Sequence, residues 1–240
     1  MLSVERSHGN DKRAVDGEAA TAGCLLMRYL FLLLLLFSNI CFAQNPLDFH
    51  WKIGDLIFQD LDCGPLCDAI EAVTKGAGGK KFSHIGLVYK RNDLVYVIEA
   101  IGKDVHLTPL KDFIKRSKDA SGHYKIVAGR LKPRYEYLNT RAIKFALKQM
   151  GTPYDDVFLY GNGKYYCSEL IYDAYKDANH GKPFFPLAPM TFKDPSTGKT
   201  FPAWQDYYSK LHTAIPEGQP GCNPGGISSS DKIEILKSFY

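Results

Sequence analysis

Three side chains in this sequence have the types and the setting that covalent hydrolysis requires, and the first is Cys167. It follows the helix-breaking stretch GNGK, so we predict that it lies in the first turn of a helix beginning near Tyr165 or Tyr166. Unpaired backbone N–H groups in that turn favour a thiolate, the nucleophilic form of cysteine, and are able to hold a developing oxyanion. The alternative is that Cys167 is a small buried residue on an apolar helix face.

The stretch FSHIGLVYKRNDLVYVIEA, residues 82–100, offers a base for that cysteine. It contains two apolar runs around a charged turn, with His84 near its start and Glu99 near its end. If residues 90–93 form the turn and residue 89 pairs with residue 94, His84 lies directly across the hairpin from Glu99. A slip of two residues would make them diagonal neighbours, and a slip of one residue would separate them. A carboxylate that accepts a hydrogen bond from an imidazole fixes its tautomer and favours its charged form. Considered alone, His84 would be interpreted as a core or edge histidine. Glu99 alone would be interpreted as a charge that keeps a sheet edge from pairing with other chains.

Other polar groups are better explained by structure than by chemistry. Asp155 and Asp156 are adjacent, so their side chains diverge, and we expect a turn-forming role. The sequence has no G-x-S-x-G motif, which disfavours a serine hydrolase. Cys63 and Cys67 are interpreted as small apolar residues beside a helix start, because their spacing disfavours a disulfide within a regular helix, although a turn would permit one. No second cysteine pair has zinc-ligand spacing, and no metal site is predicted.

Strands and helices that position these groups can be read from periodicity and from the turn residues. The predicted strands are LIFQ (56–59), the two runs of residues 82–100, residues 104–107, the segment HYKIVAGRL (123–131) and one edge strand in the tail. The predicted helices are residues 66–74, a turn at LKDFIKRS (110–117), YLNTRAIKFALKQM (137–150) and YYCSELIYDAYKDA (165–178). Residues 181–208, rich in proline and aromatics, are predicted as an ordered loop region. This pattern predicts an α+β fold, with a small antiparallel sheet packed with helices.

Composition narrows the class of protein and suggests export. A chain of 240 residues with 45% hydrophobic residues can bury a core, and a net charge of +4 without a dense basic patch disfavours nucleic-acid binding. Residues 27–43 read as a signal peptide cleaved after Ala43, with an apolar run too short to span a membrane, and residues 1–26 as a non-native or leader extension. We therefore predict a single exported domain over 44–240, periplasmic or secreted, and leave its oligomeric state open.

Three short motifs carry a resemblance to a known family: GDLIF at 54–58, SHIGLV at 83–88 and YCSELI at 166–171. They resemble the Gly-Asp-Leu strand, the His-x-Gly strand and the Cys-Ser-x-Leu nucleophile helix of the NlpC-like, papain-fold cysteine hydrolases. The His strand precedes the cysteine helix here, as in the circularly permuted YiiX-type branch. Permutation is physically tolerable because the site requires only that helix and sheet meet in space.

This resemblance implies a circularly permuted papain-like (NlpC-like) fold and assigns a role to each candidate residue. Cys167 would be the nucleophile, His84 the general base and then acid, and Glu99 the group that orients the imidazole. Gln59, just beyond the GDLIF strand, is a candidate for an additional oxyanion donor. We expect residues 187–204 to wall an acyl pocket, and no metal or organic cofactor to be needed.

The implied function is an amidase or endopeptidase that acts on cell-wall peptides through an acyl-enzyme intermediate. One alternative is a lipid acyl hydrolase or acyltransferase, since lecithin:retinol acyltransferase-like proteins are also permuted papain folds. Their nucleophile context, Asn-Cys-Glu-His, differs from the Tyr-Cys-Ser-Glu of this chain. A catalytically silent binding module is the other alternative. A peptide substrate predicts polar pocket groups that grip charged ends, whereas an acyl chain predicts an apolar pocket.

Overall fold

The structure, a computed structural model, describes residues 45–240, so the predicted leader (1–26) and signal peptide (27–43) lie outside the described residues. The strands are β1 (Leu56–Gln59), β2 (His84–Arg91), β3 (Leu94–Ile101), β4 (Asp104–Pro109), β5 (Ile126–Leu131), β6 (Ala188–Pro189), β7 (Pro220–Gly221) and β8 (Ile233–Ser238). Six of them form one antiparallel sheet in the order β4-β3-β2-β1-β5-β8, and β6 pairs with β7 in a short ribbon.

Helices cover this sheet and extend beyond it. They are α1 (Pro65–Val73), α2 (Leu110–Lys115), α3 (Asn139–Lys148), α4 (Cys167–Ala178), α5 (Pro202–Lys210) and α6 (Pro224–Ser228). Short 3-10 segments span Pro46–Asp48, Ala77–Gly79 and Pro133–Leu138. The predicted α+β fold with a small antiparallel sheet is confirmed. None of the helices within residues 45–240 combines the length and the apolar character needed to cross a membrane.

Alternating side chains of the strands fill two cores, one on each face of the sheet. On one face, Ile85, Leu87 and Ile98 pack with residues of α3 and α4, such as Ala142 and Leu170. On the other face, Val88 and Val97 pack with Phe113 of α2 and with Trp51 from the segment before β1. Because successive residues of a strand point to opposite faces, His84 and Glu99 belong to the α2 face.

The hairpin of β2 and β3 differs from the predicted register by two residues. Leu87 pairs with Ile98 and Arg91 with Leu94, which leaves a turn of only Asn92 and Asp93, both with positive φ (48° and 61°). Such two-residue turns match the twist of the strands. The prediction that His84 lies directly across from Glu99 is therefore wrong. A shift of two residues keeps both side chains on one face and makes them diagonal neighbours.

Gly86 is a position in β2 at which a side chain would not fit. Continued to the start of β2, the observed register places Gly86 opposite Glu99. A Cβ at Gly86 would overlap Val97 Cγ1 and would lie 3.0 Å from Phe113 Cε2. The missing side chain at this position leaves room for the packing between β3 and α2.

The region predicted as a loop over residues 181–208 contains a helix. Helix α5 begins with Pro202, and it buries Trp204 and Tyr208 against Phe192 and against Ala69 of α1. The prediction of a continuous loop is wrong because this small aromatic cluster stabilises a helix whose remaining faces are exposed. Helices α1 and α5 thus form a separate layer beside the sheet.

Cys63 and Cys67 form a disulfide at the start of α1. Cys63 precedes the helix, and Gly64 at the N-cap has a φ of 80°, so the two residues are not on a regular helix. Their Cα atoms are 5.3 Å apart, which is within the usual range for a disulfide. The interpretation of these cysteines as two unlinked apolar residues is wrong.

Candidate active site

Cys167 is the first residue of α4, which begins directly after the extended residue Tyr166. The first helical hydrogen bond runs from the Leu170 N–H to the Tyr166 carbonyl at 3.2 Å, so the N–H groups of residues 167–169 precede the helical ladder. These donors carry the positive end of the helix dipole. Cys167 is free of disulfides and is 6% exposed, and it lines a cleft. The helix start therefore places a thiol where negative charge is favoured.

His84 is the first residue of β2, and its ring is held from one side by Glu99. The imidazole Nε2 donates to Glu99 Oε2 at 2.6 Å, and the two residues are 3% and 0% exposed. Nδ1 is then the ring nitrogen left for the thiol. Cys167 also raises the pKa of His84, which indicates that the thiol lies near the imidazole. The structure brings together the three residues that the sequence analysis selected.

Glu99 has a second partner, Arg116, which directly follows α2. Nη2 of Arg116 donates to Glu99 Oε1 at 2.8 Å and to Oε2 at 2.7 Å. Burial by itself raises the pKa of Glu99, but the hydrogen bond to His84 and the charges of His84 and Arg116 lower it to about 2. Glu99 is thus a carboxylate at any physiological pH.

The pKa of His84 moves in the complementary direction. Burial lowers the pKa of this imidazole, whereas its hydrogen bonds to Cys167 and Glu99, together with their charges, raise it to about 9 from the usual 6.5. The net effect favours an imidazolium beside the Glu99 carboxylate. An ion pair of thiolate and imidazolium is the reactive state of cysteine hydrolases that use a histidine.

A cleft of about 140 Å³ opens beside Cys167, between α4, the α1–α5 layer and the β6–β7 ribbon. Its apolar wall includes Ile70, Val73, Phe158, Met190, Phe192 and Trp204. Polar groups such as Ser83, Tyr154 and Asn223 are interspersed, and no charged side chain from the described residues lines it. Residues from the predicted pocket segment 187–204 contribute much of this wall.

Gln59 lies close to the base but its amide faces α2. It pairs directly with His84 in the register of β1 and β2. Its Nε2 donates to the Phe113 carbonyl at 2.7 Å and to Ser117 Oγ at 2.6 Å, so both amide hydrogens are already used. This arrangement leaves no N–H of Gln59 for an oxyanion.

Asp155 has the turn-forming role that the sequence favours. Its carboxylate accepts hydrogen bonds from the N–H groups of Val157 (3.1 Å) and Leu159 (2.7 Å) and from Asn162 Nδ2 (2.9 Å). The loop that leads into α4 is therefore folded around a buried carboxylate, and this helps fix the position of Cys167.

Two residues with a place in the site were not selected from the sequence. Arg116 gave no signal, because its contact with Glu99 is a tertiary one. Tyr154 lines the cleft together with Cys167, and the combination of burial and the charge of Cys167 raises its pKa well above the usual value. Its position in the GTPYDD turn was read only as part of a connection.

Comparisons with known proteins indicate the family and the fold of this chain. Residues 50–236 match the family described as permuted papain-like amidase enzyme, YaeF/YiiX, C92 family. The uncharacterized protein YiiX of Escherichia coli (strain K12) is 32% identical over 149 residues, which are 62% of this chain and 67% of that protein. A crystal structure described as metalloprotein yiiX from Escherichia coli O157:H7 has a TM-score of 0.62 and 23% identity, covering 79% of this chain and 98% of the other.

The description of that crystallised relative as a metalloprotein raises the question of a metal site here. Within residues 45–240, no three His, Cys, Asp or Glu side chains are grouped so that they could hold a metal ion. The described residues therefore do not fit a resident metal ion. Nucleophilic attack by a cysteine thiolate does not require one.

The pKa of His84 predicts how stability depends on pH. The pKa of His84 is about 9 in the folded protein and 6.5 in its usual state. The stabilisation of the folded protein by protonated His84 is therefore complete below about pH 6.5 and is lost as the pH rises through 9. We expect the free energy of unfolding of the wild type to fall by on the order of 3 kcal/mol more than that of His84→Gln over this range. Denaturant unfolding at several pH values measures the difference, in which the titrating groups that do not interact with His84 cancel. Parallel pH profiles for the two proteins would contradict the assigned charge state.

Proposed function

The chain belongs to the permuted papain-like amidase family, and from this premise we propose that it is a cysteine amidase acting through an acyl-enzyme intermediate. The observation that carries the proposal is the position of the His84 imidazole between the Glu99 carboxylate, at 2.6 Å, and the Cys167 thiol. A nucleophile, a base and a group that orients the base are the complete set for this chemistry.

The reaction proceeds in two halves. The Cys167 thiolate attacks the carbonyl carbon of the amide, and the resulting tetrahedral intermediate collapses as the His84 imidazolium gives its proton to the leaving nitrogen. An amine departs and a thioester to Cys167 remains. Water then attacks the thioester while neutral His84 takes its proton, the carboxylic acid leaves, and the thiolate–imidazolium pair is restored. Glu99 keeps the ring oriented in both halves and remains ionised.

The oxyanion of each tetrahedral intermediate is held by two donors in this proposal. One is the backbone N–H of Cys167 at the start of α4. The other is the hydroxyl of Tyr154, which lines the cleft with Cys167. Because burial raises the pKa of Tyr154, its hydroxyl keeps its proton at working pH. Tyr154 thus takes the role that the sequence analysis offered to Gln59.

The cleft supports a substrate with an apolar acyl portion. Its lining carries no charged side chain from the described residues, so the charged ends of a cell-wall peptide would find no ion-pair partner there. We therefore favour an amide whose acyl side is an apolar peptide residue.

A second candidate function is the hydrolysis or transfer of a lipid acyl group. The specific observation in its favour is the same apolar lining, with Ile70, Met190 and Phe192 beside the nucleophile. The thioester chemistry would be identical, and only the group attached to the carbonyl would differ. The two candidates are separated by which product is released, an amine or a fatty acid.

Export to an oxidising compartment, periplasmic or extracellular, is part of the proposal. The disulfide between Cys63 and Cys67 supports it, because such bonds persist mainly outside the reducing cytosol.

Alkylation of the purified protein tests the nucleophile. We expect iodoacetamide to label Cys167 selectively from pH 5 upwards, because the imidazolium of His84 stabilises the thiolate, and we expect His84→Ala to lose this labelling at low pH. Cys222 is a suitable internal control, since burial raises the pKa of its thiol to about 12. Peptide mapping identifies the labelled residue. Labelling that rises only near pH 8.5 in both proteins, as for an ordinary thiol, would contradict the assignment of Cys167 as the nucleophile.

Tyr154→Phe tests the oxyanion donor. The loss of one such donor typically lowers turnover by about 100-fold, and we expect kcat to fall by about this factor while KM changes little. The alkylation profile of Cys167 should stay as in the wild type, because the thiolate–imidazolium pair is retained. A variant with unchanged kcat, or with a loss confined to KM, would remove Tyr154 from the reaction.

A panel of acyl groups on one reporter amine tests the cleft. We expect kcat/KM to be about tenfold or more higher for an apolar aminoacyl group than for one bearing a carboxylate, since burial of an unpaired charge is costly. Met190→Lys should narrow this ratio, because its ammonium can pair with the carboxylate, and Met150→Lys, at an exposed methionine away from the cleft, should not. Parallel incubation with peptidoglycan fragments and acylated lipids identifies the natural class. Release of fatty acid without any release of amine would favour the second candidate.

A further inference from the structure

We propose that Arg116 is a positioning residue for the base: its guanidinium holds both oxygens of Glu99 and, through Glu99, fixes the orientation of the His84 imidazole. This inference rests on the proposed function, because it assigns Arg116 a role in the same reaction. Arg116 touches neither the thiol nor the cleft, so its effect is transmitted through Glu99.

The contacts of Arg116 define a single rotamer of Glu99. Nη2 lies 2.8 Å from Oε1 and 2.7 Å from Oε2, while Oε2 also accepts the hydrogen bond from His84 at 2.6 Å. The guanidinium in turn stacks over the ring of Phe113, 4.9 Å from its centre. The Phe113 ring is 5.8 Å from the His84 ring. Phe113 in α2 and Arg116 in the turn that follows α2 therefore contact His84 and Glu99, respectively.

Gln59 anchors the turn from which Arg116 projects. Its amide bonds to the Phe113 carbonyl and to Ser117 Oγ bracket Arg116 in the sequence. Gln59 also pairs with His84 across β1 and β2. Strand β1 therefore helps position both His84 and the turn that carries Arg116. This explains why a buried amide occupies the end of β1.

Charge balance explains why an arginine is needed there. In the reactive state the thiolate and Glu99 each carry one negative charge, and His84 carries one positive charge, so the three groups together carry a net negative charge with little exposure to solvent. Arg116 restores neutrality. Without it, an uncompensated buried carboxylate is expected to take up a proton or to shift its hydrogen bonds. In either case His84 loses the acceptor that fixes its tautomer.

Other titratable groups around Glu99 do not replace Arg116. His106 on β4 is in register with Glu99, but its Nδ1 bonds to Asp104 Oδ1 at 3.0 Å. The remaining charged partner of Glu99 among the described residues is His84 itself. The side chain of Arg116 is 31% exposed, so among Arg116, Glu99 and His84 it is the group that faces solvent.

The test compares Arg116→Gln, Arg116→Lys and a control, Arg134→Gln, at an exposed arginine that stacks on Tyr135. In Arg116→Gln we expect kcat to fall tenfold or more with KM within twofold. The acid limb of both the alkylation and the kcat/KM profile should move to higher pH by about one unit. Arg116→Lys should recover part of each change because it restores the charge, and Arg134→Gln should match the wild type.

A double-mutant cycle with Glu99→Gln separates positioning from general support of the fold. Once Glu99 is uncharged, removing Arg116 should cost little further activity, so the two losses should be strongly non-additive. A wild-type pH profile in Arg116→Gln, or additive losses in the cycle, would overturn the inference. If Arg116→Gln does not fold, Arg116→Lys carries the same comparison. Failure of the proposed function itself would be distinct, because the wild type would then lack alkylation of Cys167 at low pH.

Discussion

A charged pair buried in a β-sheet is the constraint on which the rest of this structure depends. His84 and Glu99 have almost no contact with solvent, and moving two ions out of water costs several kcal/mol for each before they are paired. The pair is tenable only because each member has a second partner. Arg116 lies beyond Glu99, and Cys167 lies beyond His84. The result is a series of four groups, from a guanidinium at the surface to a sulfur in the cleft.

Part of this series could be predicted from sequence because of the period of a strand. His84 and Glu99 are an odd number of residues apart on two strands joined by a short turn, so any register with an even-length turn puts them on one face. The choice between a four-residue turn and the observed Asn92–Asp93 turn changes the pairing from opposite to diagonal and leaves the face unchanged. Likewise, the glycine-rich loop before Tyr166 places the cysteine at a helix start whatever the helix packs against.

The remainder depends on tertiary contacts that no local pattern encodes. Arg116 is one of many basic residues on the chain, and only the packing of α2 on the sheet selects it. The amide of Gln59 is drawn to the end of α2 by carbonyl and hydroxyl groups that local sequence does not locate. Helix α5 did have a weak signal, apolar residues at 204, 207 and 208 after Pro202, but the surrounding prolines and aromatics obscured it. The disulfide between Cys63 and Cys67 could be predicted only if the helix was assumed to begin after Gly64, as it does in the structure.

The two halves of the site divide the work between charge and apolar contact. Ionic groups reach Cys167 from the sheet through His84, whereas the cleft on its other side presents apolar walls and uncharged polar groups. A substrate whose acyl group fills those walls displaces water from beside the sulfur, and this strengthens the interaction of the thiolate with the imidazolium, since electrostatic attraction grows as the local dielectric falls. Selectivity for an apolar acyl group and reactivity of the thiol are thereby linked in one step. The order of the motifs along the chain is immaterial to this link, because it requires only that the first residues of β2 and α4 meet beside the cleft.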